Sequence, residues 1–317
     1  MNRKHVILLG GPTGSGKSAV ALALARLMRE SGGAVIINSD SMQIYRDLRI
    51  LTARPTPQDE ALVQHKLYGF ISAKEVSSVG IWRKQAELEI KYAWDNGALP
   101  IVVGGTGLYF HALVNGLAPI PDISTEIKLS AAKIVQQGGI QALYNDLLKH
   151  DPAIAGRIVS KDRQRIIRAW EVRAGTGRSI TEWQKQVSST PLSAEWHGYK
   201  ILPERRALYR RIDNRFSSMI RAGVIEEVKH FMDKGIAVSM PCARAVGLRE
   251  LSAHIAGELA LDEAIAAGQQ ASRRLAKRQY TWFRNQMTSW AIFEQDIERI
   301  INQIFTNICS FRLTGSS

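Results

Sequence analysis

The stretch Val6-Ile7-Leu8-Leu9-Gly10-Gly11-Pro12-Thr13-Gly14-Ser15-Gly16-Lys17-Ser18 decides the fold. Its four consecutive apolar residues predict a buried strand, and residues 11–18 match the phosphate-loop pattern G-x-x-x-x-G-K-[S/T]. The apolar face of residues 19–29 then predicts a helix. Between a strand and a helix, such a loop turns backbone N–H groups toward phosphate oxygens, while Lys17 adds a positive charge and Ser18 can hold Mg²⁺. The pattern therefore predicts a site for phosphate or diphosphate.

Two further apolar runs end in polar or glycine-rich turns. Residues 34–37 precede Asn38-Ser39-Asp40, and residues 100–103 precede Gly104-Gly105-Thr106. Continuous apolar strands that alternate with helical patterns, such as residues 82–94, indicate a parallel sheet covered on both faces. Because ligands bind beyond the carboxyl ends of such strands, we expect residues 11–18, 39–45 and 104–106 to line one edge.

The chain also shows where a second domain is inserted. Residues 116–122 and 188–193 have the composition of linkers, and the pattern between them is helical without a convincing strand. A strand at residues 199–202 is expected to rejoin the sheet. We therefore predict an α/β fold with a P-loop NTPase-like core, residues 1–116 and 199–317, in which helices flank a parallel sheet. An all-helical insertion domain at 117–198 interrupts this core.

Composition bounds the setting and the partners. The 317 residues are 45% hydrophobic and 22% charged, which is typical of a globular protein. No apolar run reaches the roughly 18 residues of a membrane span, and two cysteines exclude a disulfide framework. We therefore expect a cytoplasmic protein without membrane contact. The formal net charge of +13 suggests a polyanionic partner such as nucleic acid, although an ordinary basic enzyme would fit as well.

Asp40 and Thr106 are the candidate reactive side chains. From its placement, Asp40 can hold Mg²⁺ through water, bind a ribose, accept a proton from a nucleophile, or cap the next segment. Thr106 can place a hydroxyl between phosphate and nucleophile, or cap a helix. The residues that follow Asp40, namely Ser41, Gln43 and Tyr45, suit the recognition of a base edge.

Basic residues concentrate late in the chain. One set lies at 205–215 and another at 273–284, where it is interleaved with Tyr280, Trp282 and Phe283; a third lies at 161–168. Arginines beside aromatic residues suit phosphate contacts and base stacking, whereas a solvated basic face over buried aromatics is the alternative. We expect the arginines to contact nucleic acid, and Trp282 and Phe283 to lie in the core.

An ordered series of motifs resembles the tRNA dimethylallyltransferase family, also called tRNA isopentenyltransferases. Besides the phosphate loop, the resemblance rests on residues 39–45 with 52–55, 104–109, 168–172, 211–215, 246–250 and 276–284. It runs along nearly the whole chain, and the ordered set is far more specific than the loop alone. Departures from the family pattern include Leu51, Arg54, Lys128, Ser124-Thr125 and Leu248. The two cysteines leave no zinc finger of the kind that some eukaryotic members carry, which suggests a bacterial-type enzyme.

The resemblance implies a reaction. The dimethylallyl group of dimethylallyl diphosphate is transferred to N6 of the adenosine at tRNA position 37, beside the anticodon, which gives N6-isopentenyladenosine and diphosphate. It implies that residues 11–18 bind the diphosphate with Mg²⁺ at Ser18, and that Lys17 and Arg215 stabilise its charge. Asp40 would orient the amine and take its proton, and Thr106 would bridge toward the diphosphate.

The same resemblance implies how the tRNA is held. The adenine must leave the anticodon stack to reach this edge of the sheet. The residues expected to contact the anticodon stem-loop are Asp40, Ser41, Met42, Gln43, Thr106, Lys128, Gln164, Arg165, Arg168, Arg244, Arg249, Lys277 and Arg278. We expect the enzyme to act as a monomer.

Three alternatives stay open at this point. A P-loop small-molecule kinase would need a nucleotide γ-phosphate and usually an arginine-bearing lid, which the helical insertion could imitate. A nucleic-acid-bound ATPase would need a second acidic strand end, and the sequence has no clear one. A prenyltransferase acting on a free adenine nucleotide would keep the same chemistry. The basic helical insertion and the basic residues at 273–284 favour tRNA instead.

Overall fold

Six strands form one parallel sheet in the computed structural model, which describes residues 4–186, 192–294 and 296–314. The strands are β1 (His5–Gly10), β2 (Ala34–Asn38), β3 (Gln64–Lys66), β4 (Leu99–Gly104), β5 (Glu195–Ile201) and β6 (Ala291–Phe293). Their order across the sheet is β3-β2-β4-β1-β5-β6, and each neighbouring pair runs parallel. The strand that leads into the phosphate loop therefore lies inside the sheet, with strands on both sides.

Helices make up most of the rest of the described chain. The α-helices are α1 (Lys17–Leu27), α2 (Pro57–Leu62), α3 (Val79–Asp95), α4 (Gly107–Asn115), α5 (Thr125–His150), α6 (Pro152–Ala155), α7 (Arg163–Thr176), α8 (Ile180–Gln184), α9 (Arg205–Arg221), α10 (Val224–Asp233), α11 (Leu248–Ile255), α12 (Leu261–Gln286) and α13 (Ile297–Thr314). Short 3₁₀ turns lie at Arg29–Ser31 and Pro241–Arg244. Among the described residues, no helix combines the length and the apolar character that crossing a membrane requires.

Both faces of the sheet are covered, which explains the continuous apolar runs Val6–Leu9 of β1, Val35–Ile37 of β2 and Ile101–Val103 of β4. Val6 and Leu8 of β1 belong to a buried cluster with Trp82 of α3. Ile7 and Leu9, on the opposite face, belong to a second cluster that includes residues of α1 and α13. Side chains alternate between the faces of a strand, so a strand buried on both faces has no polar positions. The predicted α/β fold with a helix-flanked parallel sheet is confirmed.

The strand registers bring the predicted site segments to one edge. Gly10 at the end of β1 pairs with Gly104 at the end of β4, and Asn38 at the end of β2 pairs with Val103. The segments that follow β1, β2 and β4 therefore leave the sheet at nearly the same level, at its carboxyl edge. The turns after β1, β2 and β4 are neighbours for this reason.

The sequence pattern missed two strands and misplaced two boundaries. Both β3 and β6 have only three residues, and β3 is a polar edge strand, so neither carries a periodic apolar signal. Helix α1 begins at Lys17 rather than at residue 19. Strand β5 begins at Glu195, four residues before the predicted strand at 199–202, because residues 195–200 pair with all of β1.

The chain divides into two compact units. The first comprises Met1–Val114 and Leu192–Ser317, and the second comprises Asn115–Pro191. The predicted insertion, 117–198, thus runs past the second unit into β5. The second unit has its own core, which includes Leu143, Leu147 and Ile166 from α5 and α7. Most of the predicted linker at 188–193 lies outside the described residues.

Candidate active site

The phosphate loop opens helix α1 through a left-handed glycine. Gly16 has φ 93° and lies just before the helix, where Val20 N–H donates to its carbonyl at 3.1 Å. Only glycine adopts this conformation without a steric penalty. Lys17 Nζ donates to the Pro12 carbonyl at 3.2 Å, so its ammonium lies inside the loop. Ser15 Oγ is buried and has no hydrogen-bond partner among the described residues, which leaves an unsatisfied hydroxyl in the loop.

Two side chains from distant helices hold Thr13 of this loop. Arg215 of α9 donates from Nη2 to Thr13 Oγ1. Gln279 of α12 accepts from the Thr13 N–H at 2.8 Å and donates from Nε2 to the Gly105 carbonyl at 3.0 Å. One amide therefore joins the phosphate loop to the glycine-rich turn after β4. Arg211, one helical turn before Arg215, is exposed.

Asp40 is fixed by the buried amide of Asn38. Asn38 Oδ1 accepts from the Asp40 N–H at 2.9 Å, and Asn38 Nδ2 donates at 3.0 Å to the carbonyls of Asp40 and Leu67. Asp40 Oδ1 accepts from the Met42 N–H at 2.9 Å. The Asp40 carboxylate thus caps the segment that follows it, which is one of the roles predicted for this residue. Only Oδ1 takes part in this bond.

Thr106 is joined to the turn that carries Asp40. Its hydroxyl accepts from the Ser41 N–H at 2.9 Å and lies 3.3 Å from Ser41 Oγ. The Thr106 N–H donates to the Ser39 carbonyl at 3.1 Å. The turns after β2 and β4 are therefore fixed to each other, and the predicted reactive side chains Asp40 and Thr106 share one network.

Charges of both signs meet at this edge of the sheet. Burial lowers the pKa of Lys17 to about 8; the nearby Asp40 carboxylate raises it and the Arg215 guanidinium lowers it further. Burial also lowers the pKa of Arg215, against the effect of Asp40. Two cations and one carboxylate thus interact across the site, with the cations in excess. Such a site favours a ligand that brings negative charge.

A cavity of about 70 Å³ opens beside these charged groups. Thr13, Asp40 and Arg215 line its polar side. Its remaining walls are largely apolar and come from the segment around Leu51, from α9 and from α12. The site can therefore take a ligand with an anionic end and a small apolar end.

The residues that follow Asp40 have internal roles. Gln43, which the family resemblance places at the tRNA, donates from Nε2 to the carbonyls of Thr52 and Ala53, both at 2.9 Å. Met42 lines the cavity, and Tyr45 is buried in the core. Of the residues expected to recognise a base edge, only Ser41 and Gln43 keep partial exposure at this edge.

Helix α12 presents basic residues on its outer side. Lys277 and Arg278 are exposed and line a groove of about 410 Å³ together with Trp282. Phe283 is fully buried and Trp282 packs against the same core, as predicted for these aromatics. Arg273, in contrast, forms an ion pair with Asp213 at 2.5 Å, so it stabilises the fold rather than lying free for a partner.

The other predicted tRNA contacts lie at the surface. Arg244 and Arg249 of the first unit are exposed. In the second unit, Gln164 and Arg165 are exposed at the start of α7, and Arg168 lies 4.0 Å from Glu171. Lys128 of α5 is exposed too. The second unit therefore presents a basic surface of its own.

The donor set at this edge fits Mg²⁺. It consists of oxygen atoms only, the Ser18 hydroxyl at the start of α1 and the Asp40 carboxylate, and oxygen ligands are what a hard cation prefers. Among the described residues, no group of three His, Cys, Asp or Glu side chains could hold a metal. Magnesium commonly uses one or two protein ligands together with phosphate oxygens and water, so a small donor set beside a phosphate loop suits it.

Asn38, Gln279 and Leu51 also belong to the site, although the sequence pattern does not predict it. Asn38 is fully buried, but an asparagine at a strand end reads as an ordinary turn residue. Gln279 lies inside the motif at 276–284, but only the basic residues of that motif were predicted to have a function. Its partner Thr13 is 266 positions away, and no local pattern reports such a contact.

Comparisons with known proteins identify the family of the chain. A family model described as IPP transferase matches residues 43–286, and one described as Zeta toxin matches residues 1–69. The chain is 45% identical over 310 residues to a tRNA dimethylallyltransferase of Paramagnetospirillum magneticum. That match covers 98% of this chain and 97% of the relative.

Two solved structures are similar along most of the chain. One is the tRNA isopentenylpyrophosphate transferase of Bacillus halodurans, with a TM-score of 0.70 at 31% identity, covering 99% of this chain and 98% of that one. The other is a eukaryotic dimethylallyltransferase acting on tRNA, with a TM-score of 0.78 at 25% identity, covering 93% and 74%. These matches confirm the predicted resemblance and do not support the small-molecule kinase alternative.

The pKa of Lys17 predicts how anion binding depends on pH. Lys17 is cationic below about pH 8, so binding of inorganic diphosphate should weaken as the pH rises through that value. One linked proton allows a loss of up to about tenfold between pH 7 and 9. Isothermal titration of diphosphate at both pH values measures this loss. Lys17→Arg is the control, because arginine stays charged at pH 9 and this variant should bind diphosphate equally well at both pH values. An equal loss of affinity in both proteins would contradict the prediction.

Proposed function

Because the chain belongs to the IPP transferase family of tRNA dimethylallyltransferases, we propose how this site performs a prenyl transfer. The donor is dimethylallyl diphosphate, and the acceptor is N6 of the adenosine at tRNA position 37, next to the anticodon. The products are N6-isopentenyladenosine and diphosphate. One observation carries the proposal: Thr13 of the phosphate loop, the Arg215 guanidinium and the Asp40 carboxylate line one cavity with largely apolar walls, and the Lys17 ammonium interacts with both charged groups.

The loop and its cations bind the diphosphate. Backbone N–H groups of residues 11–18 and the start of α1 favour the anion, and Lys17 adds a full charge. Arg215, already placed on Thr13, adds the second cation. As the C–O bond breaks, negative charge grows on the leaving diphosphate, and fixed cations stabilise it without reorganising.

Mg²⁺ would be held by Ser18 together with diphosphate oxygens, with Asp40 within the same oxygen-rich edge. When bound, it would neutralise part of the leaving-group charge. The unpaired Ser15 hydroxyl in the loop supports an oxyanion ligand here, since buried hydroxyls normally have a partner.

Asp40 acts on the nucleophile. The exocyclic amine of adenine is a weak nucleophile because its lone pair is delocalised into the ring. As the N6–C bond forms, the amine must lose a proton, and a positioned carboxylate can orient it and take that proton. Met42 N–H and the Asn38 amide hold Asp40 in one orientation for this step. Thr106 keeps the Ser41 turn beside it, and its contact with the diphosphate stays a prediction.

The tRNA is held by basic surfaces, and its adenine is flipped into the site. In the first unit, the proposed phosphate contacts are Lys277, Arg278, Arg244 and Arg249. In the second unit, the proposed tRNA contacts are Lys128 and the α7 residues Gln164, Arg165 and Arg168. We expect the enzyme to act as a monomer. A tRNA substrate also supports a cytoplasmic location.

Transfer of label tests the proposal directly. Radiolabelled dimethylallyl diphosphate is incubated with Mg²⁺, the enzyme and a tRNA that carries adenosine at position 37; a copy with guanosine there is the control. We expect acid-precipitable label only with the adenosine tRNA. Label in neither tRNA, together with ATP hydrolysis or phosphate transfer to a small acceptor, would replace this proposal with the kinase alternative.

Replacing Asp40 should slow the chemical step far more than it weakens tRNA binding. Asp40→Asn keeps the shape of the side chain but removes the proton acceptor, so we expect single-turnover transfer to fall by about 10²-fold or more. Filter binding of tRNA should change far less than the transfer rate, because Asp40 is one of many expected contacts and asparagine keeps the shape of the side chain. Asp95→Asn, an exposed change at the end of α3, is the matched control. Unchanged transfer in Asp40→Asn would remove Asp40 from proton transfer.

The outer side of α12 should contribute to the salt dependence of tRNA binding. Each lost phosphate contact lowers the slope of log K against log salt by about 1, so Lys277→Ala with Arg278→Ala should lower it by about 1 to 2. Titrations at several salt concentrations measure the slope. The control pair is Lys84→Ala with Lys91→Ala, both exposed on α3. An unaltered slope in the α12 variant would exclude this surface from the tRNA interface.

A further inference from the structure

The two substrates of the proposed reaction are held by different turns at the edge of the sheet. Residues 11–18 hold the leaving diphosphate, and Asp40 faces the attacking amine from the turn after β2. Thr106 joins that turn to the turn after β4, because its hydroxyl accepts from the Ser41 N–H at 2.9 Å and its N–H donates to the Ser39 carbonyl at 3.1 Å. Reacting atoms must lie about 3 to 3.5 Å apart and in line, so the rate depends on how the phosphate loop is placed against these joined turns.

Gln279 of α12 connects the phosphate loop to these turns with one side-chain amide. Its Oε1 accepts from the Thr13 N–H at 2.8 Å, and its Nε2 donates to the Gly105 carbonyl at 3.0 Å. A backbone N–H only donates and a carbonyl only accepts, so both ends of the amide meet the partner they require. Among the residues that the structure describes, no other side chain is hydrogen-bonded to both segments.

Close packing fixes the position of Gln279 itself. A methyl group built on Gly10, at the end of β1, would lie 2.3 Å from Phe283 Cε1, and one built on Gly105 would lie 2.4 Å from Gln279 Nε2. Helix α12 therefore lies directly against the backbone at these two points. Because Phe283 is fully buried, the helix cannot shift along the strand ends, and the amide stays where it bonds to both segments.

The charges beside Gln279 favour a neutral bridge. The methyl group built on Gly105 would also lie 3.4 Å from Asp40 Oδ2, so the amide and this carboxylate flank the same backbone atom. The Lys17 ammonium interacts with both Asp40 and Arg215. A carboxylate in place of the amide would compete with Asp40 for these cations, and an ammonium would compete with the cations for Asp40. Glutamine is neutral and still both donates and accepts.

We propose that Gln279 is a positioning residue that sets the distance between the leaving diphosphate and the attacking amine. This inference rests on the proposed function. Gln279 acts through the backbones of Thr13 and Gly105, to which it is bonded, and not on the reacting atoms. When it is replaced, the other N–H groups of the loop, Lys17 and Arg215 all remain to hold the diphosphate. The loss of Gln279 therefore misaligns two bound substrates rather than releasing either of them.

The test separates the rate of transfer from the affinity for each substrate. Gln279→Leu removes both bonds at similar size. With dimethylallyl diphosphate and tRNA both saturating, its single-turnover transfer should fall by about 10- to 100-fold, because a displacement of about 1 Å costs as much. The dissociation constants of inorganic diphosphate, from titration calorimetry, and of tRNA, from filter binding, should change far less. Gln279→Glu keeps an acceptor for the Thr13 N–H but, when ionised, cannot donate to Gly105, so it should be slow as well.

Gln269→Leu is the matched control on the same helix. Gln269 is half-buried like Gln279, donates from Nε2 to the Asp213 carbonyl at 3.2 Å and lies 3.4 Å from Ser217 Oγ. It thus joins α12 to α9 without a bond to the phosphate loop or to the turns after β2 and β4. Both leucine variants lose bonds between α12 and its surroundings and should lower Tm, but only Gln279→Leu should slow transfer. If Gln279→Leu does not fold, Gln279→Glu, which has nearly the shape of the wild-type side chain, is measured in its place.

The outcomes separate the inference from the proposed function. Transfer at the wild-type rate by a folded Gln279 variant would overturn the positioning role and leave the prenyl transfer intact. An equal loss of rate in Gln269→Leu would do the same, since the stability of α12 would then limit the reaction. A loss of substrate affinity with an unchanged saturating rate would make Gln279 a binding residue instead. Failure of the wild type to transfer label to tRNA would overturn the proposed function and this inference with it.

Discussion

The approach of the Ser39 backbone to Gly104 is the constraint on which the rest of the site depends. A methyl group built on Gly104 would lie 2.1 Å from the Ser39 carbonyl oxygen, so any larger residue would push β2 and β4 apart at their ends. At the observed separation, Ser39 N–H donates to the Val103 carbonyl at 2.8 Å and the Ser39 carbonyl accepts from Thr106. The Asp40 and Thr106 turns are therefore joined through the backbone, and their side-chain contacts only complete this arrangement.

Helix α12 adds the phosphate loop to this pair of turns. Gln279 bonds to both Thr13 and Gly105, so the loop cannot move independently of the turn after β4. The same helix buries Phe283 in the core and exposes Lys277 and Arg278 at the surface. A single element thus packs into the core, aligns the anion site and carries a basic surface, which explains why one motif mixes aromatic, amide and basic residues.

Much of this arrangement could be predicted, because it follows from patterns of neighbouring residues in the sequence. The apolar runs that end at Gly10, Asn38 and Gly104 predict the strands, and the alternation with helices predicts that their ends meet. The three-residue strand β3 has no periodic pattern of apolar residues, so the sequence does not predict it. The contacts of Gln279 could not be predicted either, since they join residues far apart in the chain. The internal bonds of Gln43 could not be predicted either: the family motif suggests a contact with tRNA, which stays a prediction, while the Nε2 group bonds to Thr52 and Ala53 within the fold.

The apolar wall of the cavity shows why such polar residues are needed. Residues 50–53 form a loop, and a loop buried against the core must satisfy backbone groups that neither a helix nor a strand satisfies for it. Glu227 accepts from the N–H groups of Ile50 and Leu51, and Gln43 donates to the carbonyls of Thr52 and Ala53, so side chains pair four backbone groups of this loop. Gln43 lies three residues after Asp40 on the same turn. The Asp40 carboxylate and the backbone of the cavity wall at residues 52–53 are therefore both fixed by contacts within or from one short stretch of chain, residues 40–43.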